Sequence, residues 1–96
     1  MIWTPAHTWL AVHERSTRTL RTYLLLLGEL DVVRYRPVKQ EWLAATLGIH
    51  KRDARRALHR LVHHGVLDRG PRAGRTFTYR LVATPGRARA ARVSGR

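Results

Sequence analysis

The chain has 96 residues, which suits one small domain with a modest hydrophobic core. It contains no cysteine, which excludes a disulfide framework and a thiolate metal site, and its strongest apolar run, at 24–27, is far too short to span a membrane. The formal net charge is +13, which indicates a nucleic acid or another anionic surface as the partner.

The positive charge is concentrated in the second half of the chain. Residues 1–50 hold six basic and four acidic side chains, a balance of +2, whereas residues 51–96 hold thirteen basic and two acidic side chains, a balance of +11. Arginine outnumbers lysine seventeen to two, and its guanidinium group suits bidentate contacts to phosphate and to guanine. A GC-rich genome, whose codons favour arginine, explains the same excess, so composition alone does not separate the two explanations.

The first elements along the chain are predicted to be helices. Residues 1–15 form an N-terminal segment with a short helix that begins at Pro5, and Ser16 is a good N-cap for a longer helix over 17–30. The predicted core face of this longer helix holds Leu20, Tyr23, Leu24, Leu27 and Leu30. The leucines at 25–26 exceed one apolar stripe, so either the N-terminal segment or a second copy of the chain is expected to cover them.

A short helix is predicted next, after a connector at 31–39. Val38 can begin a short strand at the end of that connector. The helix covers 40–47, with Leu43, Ala44 and Leu47 facing inward. Gly48 is predicted to end it in the left-handed conformation.

The helix predicted over 51–64 has one apolar face and one basic face. His50 occupies its N-cap position, for which histidine is a poor choice, and Gly65 ends it. At about 100° per residue, the apolar side chains fall within one arc of roughly 140°: Ala54, Ala57, Leu58, Leu61 and Val62. The opposite side holds Arg52, Arg55, Arg56, His59 and His63. A solvated helix face normally mixes both signs of charge, and this helix has a single carboxylate, Asp53, at its start.

A β-hairpin with a basic tip is predicted after this helix. Its first strand lies at 66–69, its tip at 70–75 and its second strand at 76–82. The inward positions of the second strand are Phe77, Tyr79 and Leu81, which alternate with polar residues. Residues 84–96 have no apolar period and are predicted to be a disordered tail rich in arginine and alanine.

The segment QEWLAATLGIHKRDARRALHRLVHHGVLDR, at 40–69, resembles the winged helix-turn-helix family. The resemblance covers residues 17–82 and implies a mainly α fold with a small β-hairpin wing, in a domain over 16–83. It also implies that the helix at 51–64 lies in the major groove of DNA and that the hairpin touches the flanking backbone or minor groove. The DNA-binding residues it implies are Gln40, Lys51, Arg52, Arg55, Arg56, His59, Arg72 and Arg75.

These expectations favour sequence-specific binding of double-stranded DNA, by a transcriptional regulator acting as a homodimer. The dimer contact is expected at Thr17–Leu30 and the N-terminal segment. A plasmid or phage replication initiator that binds origin repeats uses the same DNA chemistry and stays open. A basic RNA-binding or ribosome-associated module is a third possibility, although RNA readers commonly stack bases on exposed aromatic residues, which this basic helix lacks.

Catalysis and cofactor binding have little support in the sequence. The six carboxylates form no obvious pair, and the glycines at 70 and 74 lack the signature of a phosphate-binding loop. His59 and His63 are four residues apart, but two ligands do not make a metal site. We therefore expect no enzyme activity, no cofactor, no metal, no small-molecule ligand and no membrane association. The lack of cysteine and of a recognisable signal peptide favours the cytoplasm, at the bacterial nucleoid.

Overall fold

The computed structural model describes residues 5–83, as four helices and a three-stranded antiparallel sheet. In chain order these are α1 (Pro5–His13), α2 (Thr17–Leu27), β1 (Arg36–Pro37), α3 (Gln40–Leu47), α4 (Lys51–His64), β2 (Leu67–Ala73) and β3 (Thr76–Leu81). The predicted fold class, mainly helical with a small β-hairpin wing, is confirmed; we call the β2–β3 hairpin the wing. The predicted tail at 84–96 lies outside the described residues.

Capping residues fix the start of α2 and the ends of α3 and α4 where the sequence predicted them. Ser16 accepts a hydrogen bond from the Thr19 N–H at 3.2 Å and so begins α2. The glycines after α3 and α4, Gly48 and Gly65, have φ values of 69° and 79°, the left-handed conformation that residues with a side chain rarely adopt. His50 precedes α4 and makes no side-chain capping hydrogen bond, as expected.

The buried face of α2 differs from the predicted one. The helix ends at Leu27 rather than Leu30, and its buried residues are Thr19, Thr22, Tyr23 and Leu26. Leu24, predicted to lie in the core, is 64% exposed. The buried face is rotated about the helix axis by roughly a quarter of a turn from the predicted one, because two threonines pack inward. The hydroxyl of Thr22 is compatible with burial because it donates to the Arg18 carbonyl at 2.8 Å.

Helix α1 packs into the same core as the rest of the described chain. Ala6 and Leu10 are buried within the main hydrophobic cluster. The Ala6 N–H donates to the carbonyl of Ala83 at 2.9 Å, which ties the start of α1 to the residues that follow β3. The N-terminal segment therefore contributes to the same core in which Leu26 of α2 is buried.

A buried carboxylate holds the turn between α1 and α2 against α4. The side chain of Glu14 is fully buried, accepts hydrogen bonds from Arg60 Nε and the Ser16 N–H, and lies 2.7 Å from His64 Nε2. Burial raises the pKa of this carboxyl, but the hydrogen bonds from Arg60, Ser16 and His64 outweigh burial and lower it from 4.5 to about 2. This cluster could not be predicted from the sequence, because Arg60 and His64 lie 46 and 50 residues after Glu14.

The sheet has the strand order β1-β3-β2. Strand β1 begins at Arg36, two residues before the predicted start at Val38, and it pairs Arg36 with Tyr79. Strand β2 continues through the predicted tip as far as Ala73, so the turn of the wing is confined to the residues around Gly74, whose φ is 67°. The tip at 70–75 was therefore predicted too long.

An irregularity in β2 decides which way its arginines point. Arg69 is opposite Tyr79 and Arg72 is opposite Phe77, so three steps along β2 match two steps along β3. One extra residue in β2 thus places Arg69 and Arg72 on the same face, whereas regular alternation would put them on opposite faces. That face is the one that carries Phe77 and Tyr79.

The other face of the wing is closed by the ring of Tyr35. Its hydroxyl donates to Asp68 at 2.7 Å, and the Arg80 guanidinium lies 4.5 Å from its ring centre. The ring passes directly over Gly70, where an added Cβ would lie 2.3 Å from Tyr35 Cδ1. Thr78, predicted to face solvent, is buried on this side and donates to the Pro71 carbonyl.

Gly70→Ala is expected to destabilise the protein by about 1–3 kcal/mol, because the ring of Tyr35 must move to admit the methyl group. Chemical denaturation measures the change. Gly28→Ala is the matched control: its Cβ meets only the Leu25 carbonyl oxygen at 3.6 Å and its φ is −81°, so its stability should be unchanged or slightly higher. Equal losses in the two variants would show that Tyr35 does not confine this position.

Candidate nucleic-acid interface

Helix α4 buries one face and presents the other to solvent. Its buried residues are Ala54, Ala57, Leu58 and Leu61, which match four of the five predicted inward positions; Val62 is half-buried. On the opposite side Arg52, Arg56, His59 and His63 are exposed. At 3.6 residues per turn these four side chains lie along one ridge, so the helix offers a continuous basic surface about 16 Å long.

A groove between α4 and the wing collects most of the predicted site residues, and we call it the wing groove. It is bounded by the first turns of α3 and α4 and by the turn of the wing. Five of the eight predicted residues line it: Gln40, Lys51, Arg55, Arg72 and Arg75. Residues far apart in sequence therefore come together in one concave surface.

One carboxylate lies in the wing groove. Glu41 pairs with Lys51 at 2.8 Å, and the hydrogen bond from Lys51 lowers the pKa of Glu41 below its ordinary value. Both side chains are more than half exposed, so this pair contributes little to stability. The Lys51 ammonium is therefore free to exchange this carboxylate for another anion at small cost.

A second groove lies further along α4, and we call it the histidine groove. It runs between the C-terminal half of α4 and the face of the sheet that carries Tyr79. Its lining residues are Arg56, His59, Arg60, Val62, His63, Arg69 and Tyr79. Arg56 and His59 were predicted site residues; the others were not. Arg52, the remaining predicted residue, lines neither groove and stands on the exposed ridge of α4.

Phe77 connects the two grooves. The guanidinium groups of Arg69 and Arg72 lie 4.7 Å and 4.9 Å from the centre of its ring, so both make cation–π contacts with one aromatic side chain. Arg69 lines the histidine groove and Arg72 lines the wing groove. Sequence analysis predicted Phe77 to be a core residue; it is half-buried and supports both arginines.

The basic residues fall into two groups according to whether a carboxylate compensates them. Five of them form ion pairs: Arg18 with Asp53, Arg36 with Asp31, Lys51 with Glu41, Arg60 with Glu14 and Arg80 with Asp68. Six others on α4 and the wing have no carboxylate partner within residues 5–83: Arg52, Arg55, Arg56, Arg69, Arg72 and Arg75. The uncompensated charge on these two elements therefore lies on the ridge of α4 and around both grooves.

Two kinds of site are not found in the described part of the chain. Residues 5–83 contain no group of three or more histidine or carboxylate side chains placed to hold a metal ion. None of the four helices described is long and apolar enough to cross a lipid bilayer.

Comparison with known proteins bears on the fold. No protein-family model matches the chain, and no curated protein matches it. Among solved structures it is similar to the crystal structure of RV1404 from Mycobacterium tuberculosis, with 25% sequence identity and a TM-score of 0.59. The match covers 94% of this chain and 59% of that one, so this chain spans less than two thirds of the length of its structural neighbour. The name of that protein states no ligand or activity, and the likeness supports the compact α+β fold.

Proposed function

We propose that the protein binds double-stranded DNA in a sequence-specific manner and is not an enzyme. The observation that carries this proposal is the set of six uncompensated arginines on α4 and the wing. Unpaired like charges on a folded surface repel one another, and a polyanion removes that repulsion and releases its own counterions on binding. The cell's DNA is such a polyanion, which would place the protein at the nucleoid.

The dimensions of α4 suit the major groove. Its 14 residues span about 21 Å, and an α-helix fits the groove, which is about 12 Å wide. The N-terminal end of the exposed ridge would face the base edges, where Arg52 can donate two hydrogen bonds to the O6 and N7 atoms of guanine. The wing groove would then face the phosphates beside the bases, with Gln40, Lys51 and Arg75 as donors.

We propose that a second copy of the chain completes the DNA-binding unit. Leu24 on α2 and Val12 on α1 are 64% and 70% exposed, and both belong to the segment for which self-association was predicted. Burying these apolar side chains against a second copy would remove them from water. A two-fold dimer of this kind reads two half-sites about one helical turn apart.

Selection of bound sequences from random duplexes at physiological salt tests the proposal. A palindromic motif would support a dimeric transcriptional regulator, whereas direct repeats would favour a replication initiator. Recovery of no motif would contradict sequence-specific binding. Competition by double-stranded RNA at matched salt, with equal or greater affinity, would favour an RNA-binding protein instead.

The variant His59→Gln/His63→Gln is expected to bind DNA roughly three- to tenfold more weakly than the wild type, because two imidazoles that can hydrogen-bond to phosphate are removed from the exposed ridge of α4. The groups facing His59 and His63 in the histidine groove are Arg56, Arg60, Arg69 and Tyr79, with His64 beside His63.

Fluorescence anisotropy at fixed pH and ionic strength measures the change in affinity. If the wild type and the double variant bind DNA equally well, these histidines do not contribute.

A further inference from the structure

The histidine groove is lined by positively charged side chains that take no part in the base contacts proposed for α4. On the helix side its cationic residues are Arg56, His59, Arg60 and His63, and on the sheet side Arg69 faces them. Glu14 compensates Arg60, and no carboxylate within the described residues lines the groove itself. A concave surface with two uncompensated arginines and two histidines is suited to a doubly or singly charged oxyanion.

The position of the groove along α4 indicates which part of a duplex would reach it. His63 is eleven residues after Arg52, a rise of about 16 Å along the helix axis, which exceeds the width of the major groove. When the first turns of α4 contact base edges, the end of the helix therefore lies beside the sugar–phosphate backbone. A phosphate, rather than a base, is what this part of the helix would meet.

Arg69 is held in place before any ligand arrives. Arg69 is opposite Tyr79 on the face of the sheet that packs toward α4, and the ring of Phe77 supports its guanidinium at 4.7 Å. A side chain that is already ordered loses less conformational entropy on binding than a free one. Its outer edge remains available, because residues 5–83 offer it no carboxylate partner.

We propose that the histidine groove is a phosphate-binding site, and that in the DNA complex it holds one backbone phosphate between Arg69 and Arg56. His59 and His63 complete the site from the exposed ridge of α4. This inference rests on the proposed function for the source of the phosphate, whereas the chemistry of the site is the same for free inorganic phosphate.

Arg69→Gln tests the site, with Arg34→Gln as the matched control, because Arg34 carries the same charge on an exposed loop and lines neither groove. On the selected duplex, Arg69→Gln should bind about tenfold more weakly than the control, since a charged hydrogen bond is lost. The slope of log K against log salt should fall by about 0.9 for one phosphate contact, and the selected motif should not change. If the wild type binds DNA and the two variants bind equally well, the groove holds no backbone phosphate in the complex and the proposed function stands.

Titration with inorganic phosphate gives a readout that does not depend on DNA. The imidazole NMR signals of His59 and His63 should shift in the wild type and in Arg34→Gln, and they should shift much less in Arg69→Gln. This result in a protein that binds no duplex would support the phosphate site while the proposed function fails. Unmoved imidazole signals at millimolar phosphate in the wild type, together with no effect of Arg69→Gln on DNA binding, would overturn the site.

Discussion

Arg52→Ala is expected to weaken binding to the selected duplex by about 1–3 kcal/mol, or roughly 5- to 150-fold, and to relax base preference at one position of the motif. Arg52 is exposed on the ridge of α4, has no carboxylate partner within residues 5–83 and lines neither groove. Among the uncompensated arginines of α4, Arg52 is therefore the one outside both phosphate-facing grooves, and its guanidinium is best placed to reach a guanine. Repeating the selection with the variant measures the change in preference.

Two further variants separate base reading from simple attraction. Arg52→Lys keeps the charge but loses the planar pair of donors, so it should recover part of the affinity and little of the base preference. Arg75→Ala removes a charge from the turn of the wing, so it should weaken all duplexes alike and reduce the salt slope by about one. If Arg52→Ala leaves the motif intact and behaves like Arg75→Ala, Arg52 contacts phosphate and does not read bases.

The segment that holds α3, the following turn and α4 was predictable because its signals are local. The apolar period of α4 and the glycines at 48 and 65 define both helices to the residue, since a left-handed C-terminal position strongly prefers glycine. The basic face of α4 was also predictable, because it contains almost no carboxylate, whereas DNA binding by the eight predicted site residues stays a prediction. Their division between a ridge and two grooves was not predictable, because it depends on how the wing packs against α4.

The errors occurred where a local preference is overridden by packing. Leucines outnumber threonines on α2, so hydrophobic period alone placed Leu24 inside and gave Thr22 no role. A threonine that donates to its own helix backbone is compatible with burial, and the sequence does not mark which threonines do so. Gly70 and Pro71 similarly suggested a turn, whereas β2 absorbs them as an irregular strand beneath the ring of Tyr35.

Glu14→Gln is expected to reduce the free energy of unfolding by about 2–3 kcal/mol at pH 7, measured by chemical denaturation. The carboxylate is fully buried and joins three donors from two parts of the chain: the Ser16 N–H, Arg60 and His64. The amide keeps the shape of the side chain but loses the charge that makes these hydrogen bonds strong. Glu29→Gln removes the same charge from an exposed side chain and should leave stability nearly unchanged.

The pH dependence of this effect identifies its cause. Since the pKa of Glu14 falls from 4.5 to about 2 on folding, its carboxylate stabilises the fold fully above pH 4.5, and that contribution is lost as the pH falls toward 2. The stabilities of the wild type and Glu14→Gln should therefore converge between pH 4.5 and 2, whereas a loss of packing would persist across this range. A difference that stays constant down to pH 2, or an equal loss in Glu29→Gln, would show that the charge of Glu14 does not hold α1 and α4 together. Convergence of the two stabilities would show that the charge of Glu14 is engaged by its partners, among them Arg60. Arg56, four residues earlier on α4, has no such carboxylate partner within residues 5–83 and can meet an external anion.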